Sequence, residues 1–330
     1  MIRELRHKGS GMLIGLLPYP DRRQDAASGH DPTPLTLIRY ADSTPGVRPE
    51  PGHFRITRPF RPDQERTAYT GAVRRVQQYL QAGDAYQVNL CQRFRAGYSG
   101  DPLAAWLALR QQFMPPHAAW LDLGDRQLLG FSPESFLEIT GRRITTRPIK
   151  GTRPRLEDPL QDREMAISLA TAPKDRAENL MIVDLMRNDL GQICEPGSVH
   201  VPGLFQIESF RNVHHLVSTV SGTLQAGVGL DHILRACFPG GSITGAPKRR
   251  AMEIIQELEP APRDVYCGSL FWLLPDGTLG SNIGIRSFLA RNGELSGWAG
   301  AGIVVDSDPE GEYEECLHKL KPLMRAMELL

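Results

Sequence analysis

Apolar residues recur at helical spacing at Tyr69, Val73, Val76 and Leu80 and stop at Gly83, which predicts an amphipathic helix starting near Gln64. Before it the pattern differs. Short apolar stretches at Met12–Leu17, 35–40 and 53–58 read as strands, and nine of the 26 prolines fall in the first 62 residues, with a Gly/Pro/Asp-rich stretch at 21–34. After the helix, alternation predicts strands at 86–94, 118–123, 127–131, 135–140 and 143–147, with turns at Gly124-Asp125 and Gly141. Helical spacing predicts helices at 102–113, 158–170, 175–189, 231–237, 248–258 and 313–329, and extended chain over 199–220, 267–274, 282–291 and 294–305. Consecutive hairpins punctuated by outer helices imply an α+β fold with packed antiparallel sheets, not a doubly wound βαβ fold. The pattern divides the chain into a strand-and-turn region, 1–62, and a larger domain, 63–330.

Composition narrows the functional classes. With 41% hydrophobic residues in 330, there is ample material for a core. Basic and acidic side chains balance at 38 each, so no whole-molecule field favours nucleic acid or a membrane surface, and an anionic ligand needs a local cationic pocket. No stretch approaches the length a membrane helix needs, and the short apolar run after the basic N-terminus is broken by Gly15 and Pro18, which argues against a signal peptide. Cys91, Cys194, Cys237, Cys267 and Cys316 are scattered and never spaced Cys-x-x-Cys; a reducing cytoplasm is expected, without disulfides or a thiolate metal site.

Against that neutral background, Pro148-Ile149-Lys150-Gly151-Thr152-Arg153 stands out: an amine on a Gly-bounded turn, crowded by Arg147, Arg153 and Arg155. Neighbouring cations disfavour the ammonium form, so Lys150 reads either as an amine nucleophile or as part of a basic loop. On the last helix, Glu312 and Glu315 (i, i+3) and Lys319 share a face, either as an ordinary solvated face or as a site at a strand end. Glu178 lies near the start of another helix, as a dipole-stabilising residue or as a partner of Glu315 on a hard cation such as Mg²⁺. Residues 239–248, Pro-Gly-Gly-Ser-Ile-Thr-Gly-Ala-Pro-Lys, form a glycine-rich loop entering a helix. It lacks the Lys and Ser/Thr of a nucleotide-binding loop and suits a carboxylate, or is a turn that needs glycine. Glu134, His214-His215 and Arg286 complete the inventory; an intrastrand Arg286 between apolar neighbours requires an anionic partner.

From about Asp63 onward, these segments resemble the chorismate-utilising enzymes. The residues that carry the likeness are Gly83-Asp84-Ala85-Tyr86-Gln87-Val88-Asn89-Leu90, Phe131-Ser132-Pro133-Glu134, and those at 148–152, 174–190, 239–248 and 299–315, in order and spacing. The Lys in Pro-Ile-Lys-Gly-Thr resembles the 4-aminating branch, which serves folate synthesis; 2-aminating members, the anthranilate synthases, usually have Ala there.

The resemblance implies two packed, mainly antiparallel sheets flanked by helices, with the site between them. It implies that Lys150 attacks C2 of chorismate, that Glu134 is the general acid on the departing 4-hydroxyl, and that ammonia then adds at C4. Glu178, Glu315 and, through water, Glu312 would hold Mg²⁺. Arg286, Tyr266 and Lys319 would contact the substrate, with backbone at Gly300, Gly302, Thr244 and Gly245 cradling carboxylate oxygens and His215 lining the cavity. Gln87 replaces the lysine base of water-adding relatives. No glutamine amidotransferase nucleophile elbow is present, so ammonia would come from a separate amidotransferase subunit or from solution. Relatives usually have a longer N-terminal region, which in some holds a tryptophan pocket; about 60 residues precede the matched part here. The rival readings are 2-amination, disfavoured by Lys150, and a non-catalytic anion-binding subunit, disfavoured by the intact Glu134, Lys150, Glu178 and Glu315 set.

Overall fold

The computed structural model describes residues 11–20, 36–40 and 52–330. The expected turns at 21–34 and the start of the 35–40 strand lie outside the described residues.

In chain order the strands are β1 (Met12–Leu17), β2 (Thr36–Tyr40), β3 (Phe54–Pro62), β4 (Gln87–Gly100), β5 (His117–Asp122), β6 (Gln127–Ser132), β7 (Ser135–Thr140), β8 (Arg143–Thr146), β9 (Ile149–Pro154), β10 (His200–Ser209), β11 (Val213–Thr223), β12 (Gly245–Ala246), β13 (Ser269–Leu273), β14 (Leu279–Asn282), β15 (Ser287–Arg291) and β16 (Glu294–Ile303). The helices are α1 (Arg66–Gln81), α2 (Pro102–Phe113), α3 (Pro159–Thr171), α4 (Pro173–Gly191), α5 (Leu230–Cys237), α6 (Lys248–Leu258) and α7 (Pro309–Glu328).

The described strands form two antiparallel sheets. One has nine strands in the order β10-β11-β8-β7-β14-β13-β1-β2, with β9 also on β11; the other has seven, β12-β4-β16-β15-β6-β5, with β3 also on β4. This is the α+β architecture expected from the pattern. The N-terminal strands are shared out, β1 pairing with β13 in the first sheet and β3 with β4 in the second.

Period-2 alternation explains the layering. On β4, Val88, Leu90 and Phe94 face a core shared with α1, α6 and α7, and on β16 Leu295, Ala299, Ala301 and Ile303 do the same. The opposite positions, Cys91 and Trp298, join a second core between the sheets that continues under α4 and α5. Along that inner face β16 runs Trp298, Gly300, Gly302, paired with Arg93, Cys91 and Asn89 of β4. Two glycines where side chains would project leave a hollow between the sheets.

Two stretches depart from the sequence expectation. The strand expected over 282–291 is two strands, β14 in one sheet and β15 in the other, and Arg286 lies in the crossover with a left-handed φ of 50°. Likewise β6 and β7 do not form a hairpin; the chain changes sheets at Pro133-Glu134. The crossovers lie side by side, fastened by the Ile283 N–H donating to the Glu134 carbonyl (3.1 Å) and the Phe131 N–H to the Arg286 carbonyl (3.1 Å). Local alternation is the same for a hairpin and a crossover, so the pattern alone does not separate them.

Candidate active site

A cavity of about 720 Å³ opens above the β16 glycines. Lys150, Glu134, Glu178, His215, Tyr266, Arg286, Gly300, Gly302, Glu312, Glu315 and Lys319 all line it. Gln87, Thr244 and Gly245 do not. Gln87 lies just behind the wall, fully buried with no partner for its amide among the described residues, and a Cβ on Gly302 would lie 2.6 Å from its Nε2 and 3.6 Å from the Lys150 Nζ. Gly245, at φ 129°, lets β12 approach β4 so closely that a Cβ would lie 2.2 Å from the Gln87 carbonyl. The glycine-rich loop thus meets the cavity through Ser242 and Ile243, not through Thr244, Gly245 or the start of α6.

Lys150 is on β9 rather than on a free turn. Thr152 pairs with His215 and Ile149 with Val217, and the register shifts between them, so Gly151, at φ 78°, sits at a bulge. Such a bulge re-aims a side chain, here into the cavity. The arginines around Lys150 are engaged elsewhere: Arg147 pairs with Glu208, Arg153 with Asp175 (3.0 Å) and Arg155 with Asp162 (2.9 Å). They do not depress its pKa. Burial does so first, opposed by Glu178 and reinforced by Lys319, leaving the amine below the ordinary lysine range. Its Nζ is 3.4 Å from the Ser242 carbonyl and 4.0 Å from Glu178 Oε2.

Glu134 shows the complementary shift. Buried in its crossover, its carboxyl is pushed up to about 7 by desolvation, against the pull of Lys150 and hydrogen bonds from Ser242 and the Ile149 N–H. The Ser242 hydroxyl donates to Oε1 at 3.1 Å. A carboxyl of raised pKa and an amine of lowered pKa face the same hollow, the pairing that acid and nucleophile chemistry need.

The Arg286 guanidinium has no hydrogen-bond or ion-pair partner among the described residues, and burial lowers its pKa. A guanidinium left unneutralised in a cavity favours an anion, best a carboxylate held by its fork. His215 accepts or donates through Nδ1 to the Thr152 hydroxyl (2.9 Å), and burial, Arg286 and His214 push it down to about 4, so it is neutral near pH 7. Lys319 donates to the Gly300 carbonyl (3.0 Å) and pairs with Glu315 (2.7 Å). The Tyr266 ring stacks on Trp298 at 6.4 Å.

The carboxylates of two helices meet here. Lys174 Nζ lies 3.9 Å from Glu178 on α4 and 3.7 Å from Glu312 on α7. Burial raises Glu178 and Glu312, whereas for Glu315 the pull of Lys319 and other lysines outweighs burial and lowers it. Among the described residues no three acidic, imidazole or thiol groups converge as a ready metal cluster. Mg²⁺ needs only one or two carboxylates, with water and substrate oxygens completing its shell, so this all-carboxylate set fits that ion.

Sequence reasoning missed Ser242, Lys174, Asn89 and Trp298 as wall residues. Ser242 had a signal, being within the glycine-rich loop; Trp298 had the inward parity of Gly300 and Gly302. All five cysteines are buried and unpaired, and no described helix is long and apolar enough to cross a membrane.

The chain is 47% identical over 306 residues to aminodeoxychorismate synthase component 1 of Salmonella typhimurium, covering 91% of this chain and 67% of that protein. It is 50% identical over 275 residues to the protein of that name from Escherichia coli K12, covering 83% and 61%. The chain therefore spans about three fifths to two thirds of these curated relatives. The fold superposes on the crystal structure of anthranilate synthase component I from Streptococcus pneumoniae with a TM-score of 0.82 at 29% identity, covering 98% of this chain and 84% of that one. The profile described as chorismate binding enzyme matches residues 24–325, and the chain belongs to that family.

Proposed function

We propose that this chain is the aminating component of an aminodeoxychorismate synthase, converting chorismate and ammonia to 4-amino-4-deoxychorismate for p-aminobenzoate and folate synthesis. The observation that carries the reading is Lys150: a buried amine of lowered pKa, sharing one hollow with a carboxyl titrating near 7.

The chemistry follows from those two groups. The Lys150 amine adds to C2 of chorismate, the ring double bonds shift, and the C4–O bond breaks. Glu134 gives its proton to the departing hydroxyl, which leaves as water. Ammonia then adds at C4, the C2–N bond breaks to restore the amine, and the proton lost by the new ammonium returns to Glu134. Atoms balance: chorismate plus ammonia gives the amino product plus water. Protonating the hydroxyl matters because hydroxide is a poor leaving group. Arg286, Lys319 and Tyr266 hold and orient the substrate's carboxylates and side chain, and the Gly300 to Gly302 backbone lets the ring lie flat against β16. His215, neutral and anchored to Thr152, closes the wall. Glu178 and Glu315, with Glu312 nearby, would hold Mg²⁺, whose positive charge would draw electrons from the reacting ring.

Ammonia would come from a separate glutamine amidotransferase subunit or from solution; the name component 1 carried by the similar proteins supports a partner subunit. The reduced cysteines suit the cytoplasm. A 2-aminating, anthranilate synthase reading is favoured by the similarity to the streptococcal fold, but gives Lys150 no task. Incubation with chorismate, Mg²⁺ and ammonium tests the choice. The expected product is 4-amino-4-deoxychorismate; fluorescent anthranilate as the main product would overturn the assignment.

A further inference from the structure

We propose that Ser242 is a positioning residue that joins the acid and the amine of this site, its hydroxyl fixing one oxygen of Glu134 and its carbonyl aiming the Lys150 amine. The inference rests on the roles of Glu134 and Lys150 proposed above. Ser242 lies in a short 3₁₀ turn, Gly241–Ile243, and makes both contacts at once: hydroxyl to Glu134 Oε1 at 3.1 Å, carbonyl to Lys150 Nζ at 3.4 Å. The hydroxyl holds Oε1 in place, and the amine is turned toward the carbonyl on the same residue.

The turn is held from several directions. Arg263, fully buried with its guanidinium 4.6 Å from the Tyr19 ring, donates to the Ile243 carbonyl (2.9 Å) and the Asn89 carbonyl (2.6 Å), and is bound by both oxygens of Glu259 (2.9 and 2.6 Å). Glu259 also accepts from the Cys91 N–H (2.9 Å), and the Asn89 N–H donates to the Thr244 carbonyl (2.9 Å). On the other side, a Cβ on Gly241 would lie 2.3 Å from Leu185 of α4, so the turn packs directly on that helix. A satisfied buried network of this kind fixes one geometry. Glu134 is otherwise faced by Lys150 from β9, Lys319 from α7, the Ile149 N–H and the Cys267 thiol.

Ser242→Ala removes the hydroxyl and leaves the carbonyl. A lost hydrogen bond to a charged group is expected to lower kcat for ammonium-dependent turnover about tenfold, with KM for chorismate changed less than about twofold. Ser242→Thr, which keeps a hydroxyl, is expected to recover most of the loss. In a Glu134→Gln background, Ser242→Ala is expected to add little, because the group it positions is gone. The Glu134 carboxyl band, isolated as the infrared difference between wild type and Glu134→Gln, is expected to titrate at higher pH in Ser242→Ala, since a donor to the carboxylate is lost. An equal loss in the Glu134→Gln background, or an unmoved infrared titration, overturns the proposal. Absence of chorismate turnover by the wild type refutes the proposed function instead, and the infrared titration still decides the Ser242 link.

Discussion

Replacing Glu134 with Gln is expected to stabilise the protein at alkaline pH while nearly abolishing its activity. The carboxyl moves from its ordinary 4.5 to about 7 because it is buried. A pKa raised in the folded state means that this group's contribution to stability is fully present below about 4.5 and is lost as pH rises through about 7. Linkage over that interval gives a penalty of about 3 kcal/mol at pH 8, of which about 2–3 kcal/mol develops between pH 5 and pH 8. Gln cannot ionise, so the stability difference between variant and wild type should grow by that amount across the same interval. Other groups that titrate nearby, such as Asp189, raised to about 6 by burial, are common to both proteins and cancel. Urea denaturation at pH 5 and pH 8 measures the difference. Turnover is expected to fall by roughly 10²–10⁴-fold, the usual contribution of a general acid. A stability difference independent of pH would show that Glu134 ionises like an exposed carboxylate, and the acid assignment would lose its physical basis.

Three further outcomes follow from the site. Lys150→Ala is expected to slow ammonium-dependent amination by on the order of a hundredfold, about 2.7 kcal/mol of barrier, leaving slow direct attack by ammonia; unchanged steady-state turnover refutes the nucleophile role. Chelation by EDTA should abolish turnover and Mg²⁺ restore it, with Glu178→Ala or Glu315→Ala raising the half-activating Mg²⁺ concentration about tenfold; activity indifferent to chelator would exclude the metal role. Gly300→Ala places a Cβ 2.6 Å from both the Cys91 Cβ and the Leu90 carbonyl of β4, so thermal or urea unfolding should show a loss of about 1–3 kcal/mol, and a neutral result would mean that the strands yield more easily than their packing indicates.

Elements were legible in the sequence where burial is one-sided. Tyr69, Val73, Val76 and Leu80 are all buried on α1, as the 3.6-residue period requires. What periodicity cannot supply is which sheet a strand joins. The segments around Glu134 and Arg286 alternate like ordinary strands, yet both are sheet-to-sheet crossovers, and this brings two residues far apart in the chain to one cavity. Lys150 is instructive in another way. The sequence around it predicts a pKa lowered by neighbouring arginines, but those arginines each have a carboxylate partner, and the cause is burial, with Lys319 from the last helix adding to it. Charges close in sequence are not necessarily close in space. Gln87, Thr244 and Gly245 sit one layer behind the cavity because glycine and alternation set which side of a strand is open, at a resolution of one residue. Ser242, in the same loop, is at the wall.

Covalent attachment of Lys150 to the substrate separates the proposed reaction from direct attack by ammonia. The most direct measurement is mass spectrometry of the enzyme mixed with chorismate and Mg²⁺ in the absence of ammonium, denatured within the first turnover and digested. An adduct of chorismate less one water is expected on the peptide that contains Lys150, absent in Lys150→Ala and discharged when ammonium is added before the quench. Full ammonium-dependent turnover with no adduct on that peptide at any quench time would contradict covalent attachment.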